Sequence, residues 1–247
     1  MTRGAIIVGG SSGIGEALAR KLAADGYEIG LAARRTERMR EIGASLPTQA
    51  YVATLDLRDT ADARRGFFQL ADAMPSVDVV VLSAGIGHEN PALEWGPECE
   101  TIDVNVRGFA ALATAAVEYF EANPVCASDV DGHLVGISSV ASAFGNGAAP
   151  AYNASKAFVS TYLEGLRHRQ AGRKTDVAVT TVEPGFVDTE MAMGENLFWM
   201  CSPETAARQI ARAIRKRKRH VYVTRRWRLV SWLLRATPEP LLRRLFA

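Results

Sequence analysis

The sequence predicts an α/β fold: a doubly wound parallel sheet of about seven strands with helices on both faces. Short, almost wholly apolar runs such as residues 77–82 and 177–182 alternate along the chain with longer segments that have helical spacing. Strands that are apolar throughout are typical of a parallel sheet covered on both sides. With 247 residues, 48% of them hydrophobic, a single domain can bury a full core.

The individual elements follow from apolar periodicity and from capping residues. The predicted strands are residues 5–8, 28–33, 51–55, 77–82, 133–137, 177–182 and 220–224. The predicted helices are residues 13–25, an arginine-rich segment after the second strand to about 46, and residues 60–73, 98–122, 150–170 and 203–218. Asp59 and Ser202 are predicted N-caps, because their side-chain oxygens can accept a hydrogen bond from the first helical turn.

Composition excludes several classes of protein. Lys and Arg number 29 against 27 Asp and Glu, so the net charge of +2 gives no case for nucleic-acid binding. The three cysteines lie far apart without metal-ligand spacing, so we predict neither a metal site nor a disulfide framework, and a cytoplasmic location. No apolar run reaches the roughly 18 residues of a membrane span, and we expect no signal peptide.

A glycine-rich turn directly follows the first strand and leads into the first helix. Glycine at such a junction lets the backbone turn sharply and approach a diphosphate, which the free N–H groups of the helix then bind. A merely flexible turn is the alternative, but the position between strand and helix is the one that a dinucleotide site requires. The predicted cofactor contacts here are Gly9, Ser11, Ser12, Gly13, Ile14 and Gly15.

This turn resembles the opening motif of the short-chain dehydrogenase/reductase family, in its compact branch. The family reads Thr-Gly-x-x-x-Gly-x-Gly, and this chain has Val8 in place of the threonine, which costs one hydroxyl group. The resemblance extends over roughly residues 4–200 and includes further motifs in the family's order. It implies a Rossmann-type domain that binds a nicotinamide dinucleotide and oxidises or reduces a small molecule.

The end of the second strand indicates which nicotinamide cofactor is bound. An acid at this place binds the ribose 2′-hydroxyl, whereas a nearby arginine accommodates a 2′-phosphate. Ala33 stands where the acid would be, so Arg34 and Arg35 favour NADP(H) over NAD(H), unless both are simply solvated at the helix start. The resemblance adds contacts with the adenine and beneath the cofactor from Asp56, Leu57, Ala84 and Gly85.

Tyr152 and Lys156 form the candidate acid–base pair. They lie four residues apart on one helix face, thirteen residues beyond Ser139. A phenol titrates near pH 10, which is too high for a base at neutral pH, and a nearby ammonium favours the phenolate. We therefore expect Lys156 to lower the pKa of Tyr152 and make it a general acid–base.

Further roles are implied by the resemblance. Ser139 would orient the substrate oxygen, and strand alternation would turn its neighbour Ser138 to the opposite side. Asn105 would hold a proton-relay water, the alternative being a buried polar group within a helix. A serine nucleophile is disfavoured, because no Gly-x-Ser-x-Gly surrounds either serine. A Pro-Gly-x-x-x-Thr motif would hold the nicotinamide through Pro184, Gly185, Val187 and Thr189.

Together these motifs predict an NADP(H)-dependent oxidoreductase that transfers hydride to or from a carbonyl or secondary alcohol. A non-catalytic dinucleotide-binding regulator is less consistent with a complete set of Ser139, Tyr152 and Lys156. We expect a small, fairly apolar substrate, no nucleic acid, and a homodimer or homotetramer. The apolar substrate follows from a lid rich in methionine and aromatic residues, namely Phe186, Met191, Met193, Leu197, Phe198, Trp199 and Met200.

The C-terminal segment needs a separate explanation. We assign residues 1–224 to one catalytic NADP-binding domain and residues 225–247 to a basic, amphipathic helical extension. Residues 208–247 contain thirteen Lys or Arg and one acid, which leaves the preceding 207 residues with a net charge of −10. Both predicted helices of the extension could pack on the domain or on a second subunit, where they would cover the substrate cleft and offset the negative charge of the preceding residues. Alternatively, they could lie on an anionic membrane surface, where the enzyme would act on a lipid-like substrate.

The apolar residues of the extension divide between its two helices. The first helix carries Leu229, Val230, Leu233 and Leu234, and the second, after a break at residues 237–240, carries Leu241, Leu242, Leu245 and Phe246.

Overall fold

Seven parallel strands form one sheet in the computed structural model, which describes residues 3–124, 131–173, 175–191 and 198–246. The strand order is β3-β2-β1-β4-β5-β6-β7, and every neighbouring pair is parallel. The predicted parallel sheet is therefore confirmed, and the seventh strand lies at its edge as expected. The strands are β1 Arg3–Val8, β2 Tyr27–Ala33, β3 Ala50–Thr54, β4 Val79–Leu82, β5 Gly132–Ile137, β6 Val177–Pro184 and β7 His220–Val223.

Helices cover both faces of the sheet because the side chains of each strand alternate between two apolar cores. In β1, Ile6 and Val8 face the core formed with α3, α5 and α6, while Ala5 and Ile7 face the core formed with α1, α2 and α7. The helices are α1 Gly13–Ala24, α2 Thr36–Ala44, α3 Thr60–Ala73, α4 Trp95–Ile102, α5 Phe109–Ala122, α6 Pro150–Gln170, α7 Pro203–Arg215, α8 Trp227–Ala236 and α9 Glu239–Phe246.

The predicted N-caps have the expected hydrogen bonds. Asp59 accepts from the amide of Asp62 at the start of α3, and Ser202 accepts from the amide of Thr205 at the start of α7. These bonds satisfy donors that a helix otherwise leaves without partners.

The predicted boundaries of β1, β4 and β6 are each wrong by two residues at one end, and those of three helical segments are wrong as well. The helix expected at 98–122 begins at Trp95 and is interrupted by a π-helical turn over residues 103–108. Helix α7 ends at Arg215 rather than Lys218. Helix α9 begins at Glu239, two residues before the expected Leu241, because a proline in the first turn of a helix sacrifices no hydrogen bond.

Some predicted features lie outside the described residues. These are Met193 and Leu197 of the lid, Cys126, and the side chains of Leu245 and Phe246.

Candidate active site

The glycine turn after β1 packs against the end of β4. Gly9 has a φ of +84° and Gly13 a φ of +54°, a region that favours glycine. A Cβ atom on Gly9 would lie 2.5 Å from the backbone nitrogen of Ala84, and one on Gly15 would lie 2.1 Å from the Gly9 carbonyl oxygen. Only glycines allow strand, turn and helix to approach this closely, which leaves a backbone cradle at the N-terminus of α1. Such a cradle fits the diphosphate of a dinucleotide.

A cleft of about 870 Å³ runs along the carboxyl ends of the strands from this cradle. It is the place where the strand order reverses, between β1 and β4. Most of the site residues expected from the sequence line it. They are Gly9, Ser11, Ser12, Gly13, Ile14, Arg34, Arg35, Asp56, Leu57, Ala84, Gly85, Ser139, Tyr152, Lys156, Pro184, Gly185, Val187 and Thr189. Gly15 and Asn105 instead lie behind the lining residues, against Gly9 and Gly85 respectively.

One end of the cleft is basic. Arg35 donates from Nε to Ser11 Oγ at 3.2 Å and from Nη2 to Ser12 Oγ at 2.6 Å. Arg34 is exposed beside it, and its side chain donates no hydrogen bond within the described part of the chain. Two guanidinium groups and two hydroxyl groups thus meet at the end of β2, where Ala33 contributes no opposing carboxylate.

Asp56, after β3, lies on the same side of the cleft. Its carboxylate accepts a hydrogen bond from Arg58 Nη2 at 2.6 Å, which holds the pKa of Asp56 below its usual value. Arg34 lowers this pKa further by its charge. The adenine contact expected of Asp56 stays a prediction.

The opposite end of the cleft holds the expected acid–base group. The hydroxyl of Ser139, just after β5, accepts from the amide of Ala141 at 3.1 Å and lies near enough to the phenol of Tyr152 to affect its pKa. Lys156 is buried, with its Nζ atom 5.6 Å from the centre of the Tyr152 ring and 3.3 Å from the carbonyl oxygen of Ile137, to which it donates. Ser139, Tyr152 and Lys156 therefore converge, as the i, i+4 spacing of Tyr152 and Lys156 and the family resemblance of Ser139 imply.

The expected lowering of the Tyr152 pKa is wrong. Burial raises the pKa of Tyr152, and the nearby hydroxyl of Ser139 opposes this only in part. Burial also lowers the pKa of Lys156 to about 8, because its ammonium group is removed from water without a carboxylate partner. Tyr152 therefore retains its proton at neutral pH.

Ser138 and Ser139 point to opposite sides of the sheet edge, as strand alternation predicts. Ser138 Oγ donates to the carbonyl oxygen of Lys156 at 2.8 Å and contacts Ser160 Oγ at 2.8 Å. Ser138 thereby fixes the helix that carries Tyr152 and Lys156, whereas Ser139 faces the reacting end of the cleft.

Asn105 bridges three segments behind the cleft. It lies in the π-helical turn and accepts from the amide of Ile86 at 2.9 Å. Its Nδ2 atom donates to the carbonyl oxygen of Ile86 at 2.7 Å and to Ser155 Oγ at 3.0 Å. These bonds make Asn105 a clamp between the loop after β4 and helix α6. The role in holding a water molecule stays a prediction.

The loop after β6 closes over the glycine turn. The amide of Gly185 donates to the carbonyl oxygen of Val223 at 2.6 Å, which directs the chain back toward the cleft. A Cβ atom on Gly13 would lie 3.1 Å from Cγ2 of Thr189, so this loop and the cradle are in contact. Backbone groups of both can therefore reach one bound molecule.

Comparison with known proteins agrees with this geometry. A family model described as short chain dehydrogenase matches residues 3–198. The chain belongs to the short-chain dehydrogenase family. It is 34% identical over 222 residues to an uncharacterized oxidoreductase of Mycobacterium tuberculosis, covering 85% of this chain and 84% of that protein.

Two further comparisons concern one relative and one solved structure. The chain is 29% identical to an NADP-dependent 3-hydroxy acid dehydrogenase of Shigella flexneri, covering 74% of this chain and 71% of the other. A short-chain dehydrogenase/reductase from Burkholderia phymatum, solved in complex with NAD, superposes with a TM-score of 0.83 at 20% identity, covering 94% and 92% of the two chains. The fold is thus that of an oxidoreductase that binds a nicotinamide dinucleotide.

In this short-chain dehydrogenase, the C-terminal helix α8 forms one wall of the cleft. Trp227, Val230 and Leu234 line it, although the sequence did not indicate them as site residues. Trp227 is buried and packs directly on Gly185. A Cβ atom on Gly185 would lie 2.0 Å from Nε1 of Trp227. The signal was present in the apolar stripe of the extension, but only tertiary packing shows which of its residues face inward.

An aromatic cluster closes this wall. The ring of Trp227 lies 5.3 Å from that of Phe186, 5.4 Å from that of Phe198 and 6.0 Å from that of Trp199. Trp227 Nε1 is buried and has no acceptor among the described residues. The wall is therefore apolar, apart from one unpaired donor.

Glu183 is a second residue that the sequence analysis missed. It is fully buried at the end of β6, where Oε1 accepts from Ser160 Oγ at 2.9 Å and from Ser142 Oγ at 3.1 Å. His220 Nε2 lies 3.3 Å from Oε2, and Arg235 Nη2 lies 3.5 Å from Oε1. Burial by itself raises the pKa of Glu183, but these contacts outweigh burial and hold the pKa below its usual value. One carboxylate thus connects α6, α8, β7 and the turn after Ser139.

We expect Glu183→Gln to lower the free energy of unfolding by about 1–3 kcal/mol, because it leaves Arg235 and its buried hydroxyl partners without the carboxylate. Urea unfolding measures this change. The matched control is Glu118→Gln, which removes an exposed ion pair with Arg64 and should cost less than about 0.5 kcal/mol. Equal losses of unfolding free energy in the two variants would show that the buried carboxylate stabilises the fold no more than the exposed one does.

Proposed function

We propose that this chain is an NADP(H)-dependent oxidoreductase acting on the carbonyl or secondary alcohol of a small, fairly apolar molecule. The observation that carries the proposal is the convergence of Ser139, Tyr152 and Lys156 at one end of a cleft whose other end presents Arg34 and Arg35. A bound nicotinamide supplies the hydride in reduction and accepts it in oxidation.

The protein's own groups supply the proton and position the reactants. In reduction, the Tyr152 phenol donates its proton to the substrate oxygen, and Ser139 stabilises the charge that develops there. Lys156 would bind the nicotinamide ribose and keep a positive charge beneath the phenol. Backbone groups of Gly185, Val187 and Thr189 would hold the carboxamide, which fixes the ring face presented to the substrate.

The preference for NADP(H) rests on the basic end of the cleft. Arg34, Arg35 and the hydroxyl groups of Ser11 and Ser12 provide charged and neutral donors for a 2′-phosphate. Ala33 removes the carboxylate that would bind a free 2′-hydroxyl and repel a phosphate. The NADP-dependent relative supports this preference, while the NAD complex, at 20% identity, bears on the fold alone.

The apolar substrate is inferred from the wall that α8 contributes. Phe186, Phe198, Trp227, Val230 and Leu234 surround the space beyond the catalytic hydroxyl groups. Assays of NADPH oxidation with a panel of ketones, aldehydes and quinones test the reaction class and the substrate together. Turnover of none of these classes would contradict the proposal.

The domain division, the oligomeric state and the cellular location are also proposed. We propose residues 1–224 as the catalytic domain and residues 225–247 as an extension that completes its cleft, in a homodimer or homotetramer. The free thiols of Cys99 and Cys201 support a reducing, cytoplasmic location. Among the described residues, no group of three or more His, Cys, Asp or Glu could hold a metal ion.

We expect Tyr152→Phe to lower the turnover number at least about a hundredfold, because the variant lacks the proton donor but keeps the ring. Its affinity for NADPH should change less than about threefold, since the ring and Lys156 still pack as before. Steady-state kinetics and fluorescence titration with NADPH measure the two quantities. Near-normal turnover would place the acid–base group elsewhere.

Replacing Arg34 and Arg35 with alanine should weaken NADPH binding about tenfold or more and leave NADH binding nearly unchanged, because the charge-assisted contacts go only to the 2′-phosphate. Titration with each dinucleotide measures the change. Arg40→Ala is the control, since this exposed arginine pairs with Glu37 and does not line the cleft. An equal loss for both dinucleotides would contradict the 2′-phosphate assignment.

The rate of carbonyl reduction should be level through neutral pH and fall as pH rises through about 8, where Lys156 loses its proton. Tyr152 remains protonated over this range because burial raises its pKa, so the fall reports the lysine. Turnover of reduction measured from about pH 6 to about pH 10 tests this. In Lys156→Arg, the remaining turnover should stay constant to a higher pH, because arginine retains its charge. An unchanged fall in that variant would rule out Lys156 as its source.

A further inference from the structure

Helix α8 has two apolar faces, and the protein covers only one of them. Trp227 and Ser231 are buried on the inner face, whereas Leu229, Trp232 and Leu233 are 69%, 66% and 59% exposed. Residues three and four apart share one side of a helix, so these three form a continuous outer stripe. A continuous stripe of large, exposed apolar side chains marks an interaction surface.

A second group of exposed apolar side chains lies at the mouth of the cleft. Phe198, Trp199 and Met200 are 54%, 47% and 42% exposed, and the rings of Phe198 and Trp199 contact that of Trp227 at the start of α8. We call these two groups together the apolar rim. It consists of Phe198, Trp199, Met200, Leu229, Trp232 and Leu233.

Arginines flank the apolar rim. Arg226 donates to the carbonyl oxygen of Trp199 at 3.1 Å and lies 5.0 Å over its ring, while Arg228 is exposed on α8 and Arg243 and Arg244 on α9. Residues 225–247 contain six arginines and a single acid, in a protein whose first 207 residues carry a net charge of −10. Residues 225–247, which include the exposed apolar side chains of α8, thus carry a net charge of +5.

We propose that the apolar rim docks on the surface of an anionic lipid bilayer. Tryptophan and leucine side chains insert at the boundary between headgroups and acyl chains, and flanking arginines bind anionic headgroups. Among the described residues, no helix is long and apolar enough to cross a membrane, so docking would be peripheral. A second copy of this chain fits poorly, because a two-fold symmetric contact would bring the arginines of both copies together.

Docking would also place the mouth of the cleft at the lipid surface. Phe198 belongs both to the apolar rim and to the cleft lining, and Val230 and Leu234 line the cleft from the inner side of the same helix. An apolar substrate would then enter from the bilayer. This last step rests on the proposed function, whereas docking itself does not.

Co-sedimentation of the full chain with vesicles tests docking without any assay of activity. We expect binding to vesicles of phosphatidylcholine with about 30% phosphatidylglycerol, little binding to phosphatidylcholine alone, and loss of binding in high salt. Equal binding to both kinds of vesicle, or to neither, would overturn the proposal.

Paired variants locate the surface. Trp232→Ser with Leu233→Ser should reduce vesicle partitioning at least about tenfold, because it removes the inserted side chains. Leu93→Ser with Trp95→Ser is the matched control, since these residues are 65% and 70% exposed on the segment that leads into α4. An equal loss in the control pair would show that binding does not depend on the apolar rim.

Charge is tested in the same way. Arg228→Gln with Arg243→Gln should reduce partitioning about tenfold, whereas Arg40→Gln with Arg65→Gln, exposed on α2 and α3, should change it little. Light scattering of each variant provides the remaining test. If the Trp232 and Leu233 variant loses a dimer while the unmodified chain never binds vesicles, the apolar rim joins two copies and the proposal is wrong.

Discussion

The contact between the glycine turn after β1 and the end of β4 is the constraint on which the site depends. These strands are neighbours at the point where the strand order reverses, so the loops that follow them diverge and leave a crevice. Gly9 closes that contact with a left-handed backbone against Ala84. Because the sheet is parallel, β2, β5 and β6 deliver Arg34, Ser139 and the loop after Pro184 to the same edge. A side chain at Gly9 would separate the strands and displace all of these groups together.

Burial and the partners of each buried group together control the titration of this edge. Lys156 is buried with backbone and aromatic neighbours, so its pKa falls to about 8, and burial raises the pKa of Tyr152. Glu183 is buried as deeply, but it has His220, Arg235 and two hydroxyl groups as partners, and its pKa falls below its usual value. The same low-dielectric environment therefore maintains a protonated phenol at the reacting end and a carboxylate anchor behind it.

Features encoded by local pattern could be predicted from the sequence, and features created by packing could not. Apolar runs and glycine spacing are local, so they give the strands and the cradle, whereas the convergence of Ser139 with Tyr152 is implied by the family resemblance. The direction of the Tyr152 pKa depends on how much water the folded cleft excludes, which spacing between residues does not encode. The π-helical turn that holds Asn105 and the burial of Glu183 depend on neighbours distant in sequence, and so does the choice of which apolar residues of α8 face the cleft.

Helix α8 joins the cleft to the outer surface of the molecule. Its inner side packs Trp227 on Gly185, in the loop that would hold the nicotinamide, and Arg235 near its end contacts Glu183, which also binds the turn after Ser139. Its outer side presents Trp232 to solvent. A helix fixed at both ends to the catalytic edge cannot tilt or shift without altering the wall of the cleft. Both sides belong to one helix of ten residues. A surface that binds the outer side of α8 would therefore also alter the wall that α8 contributes to the cleft.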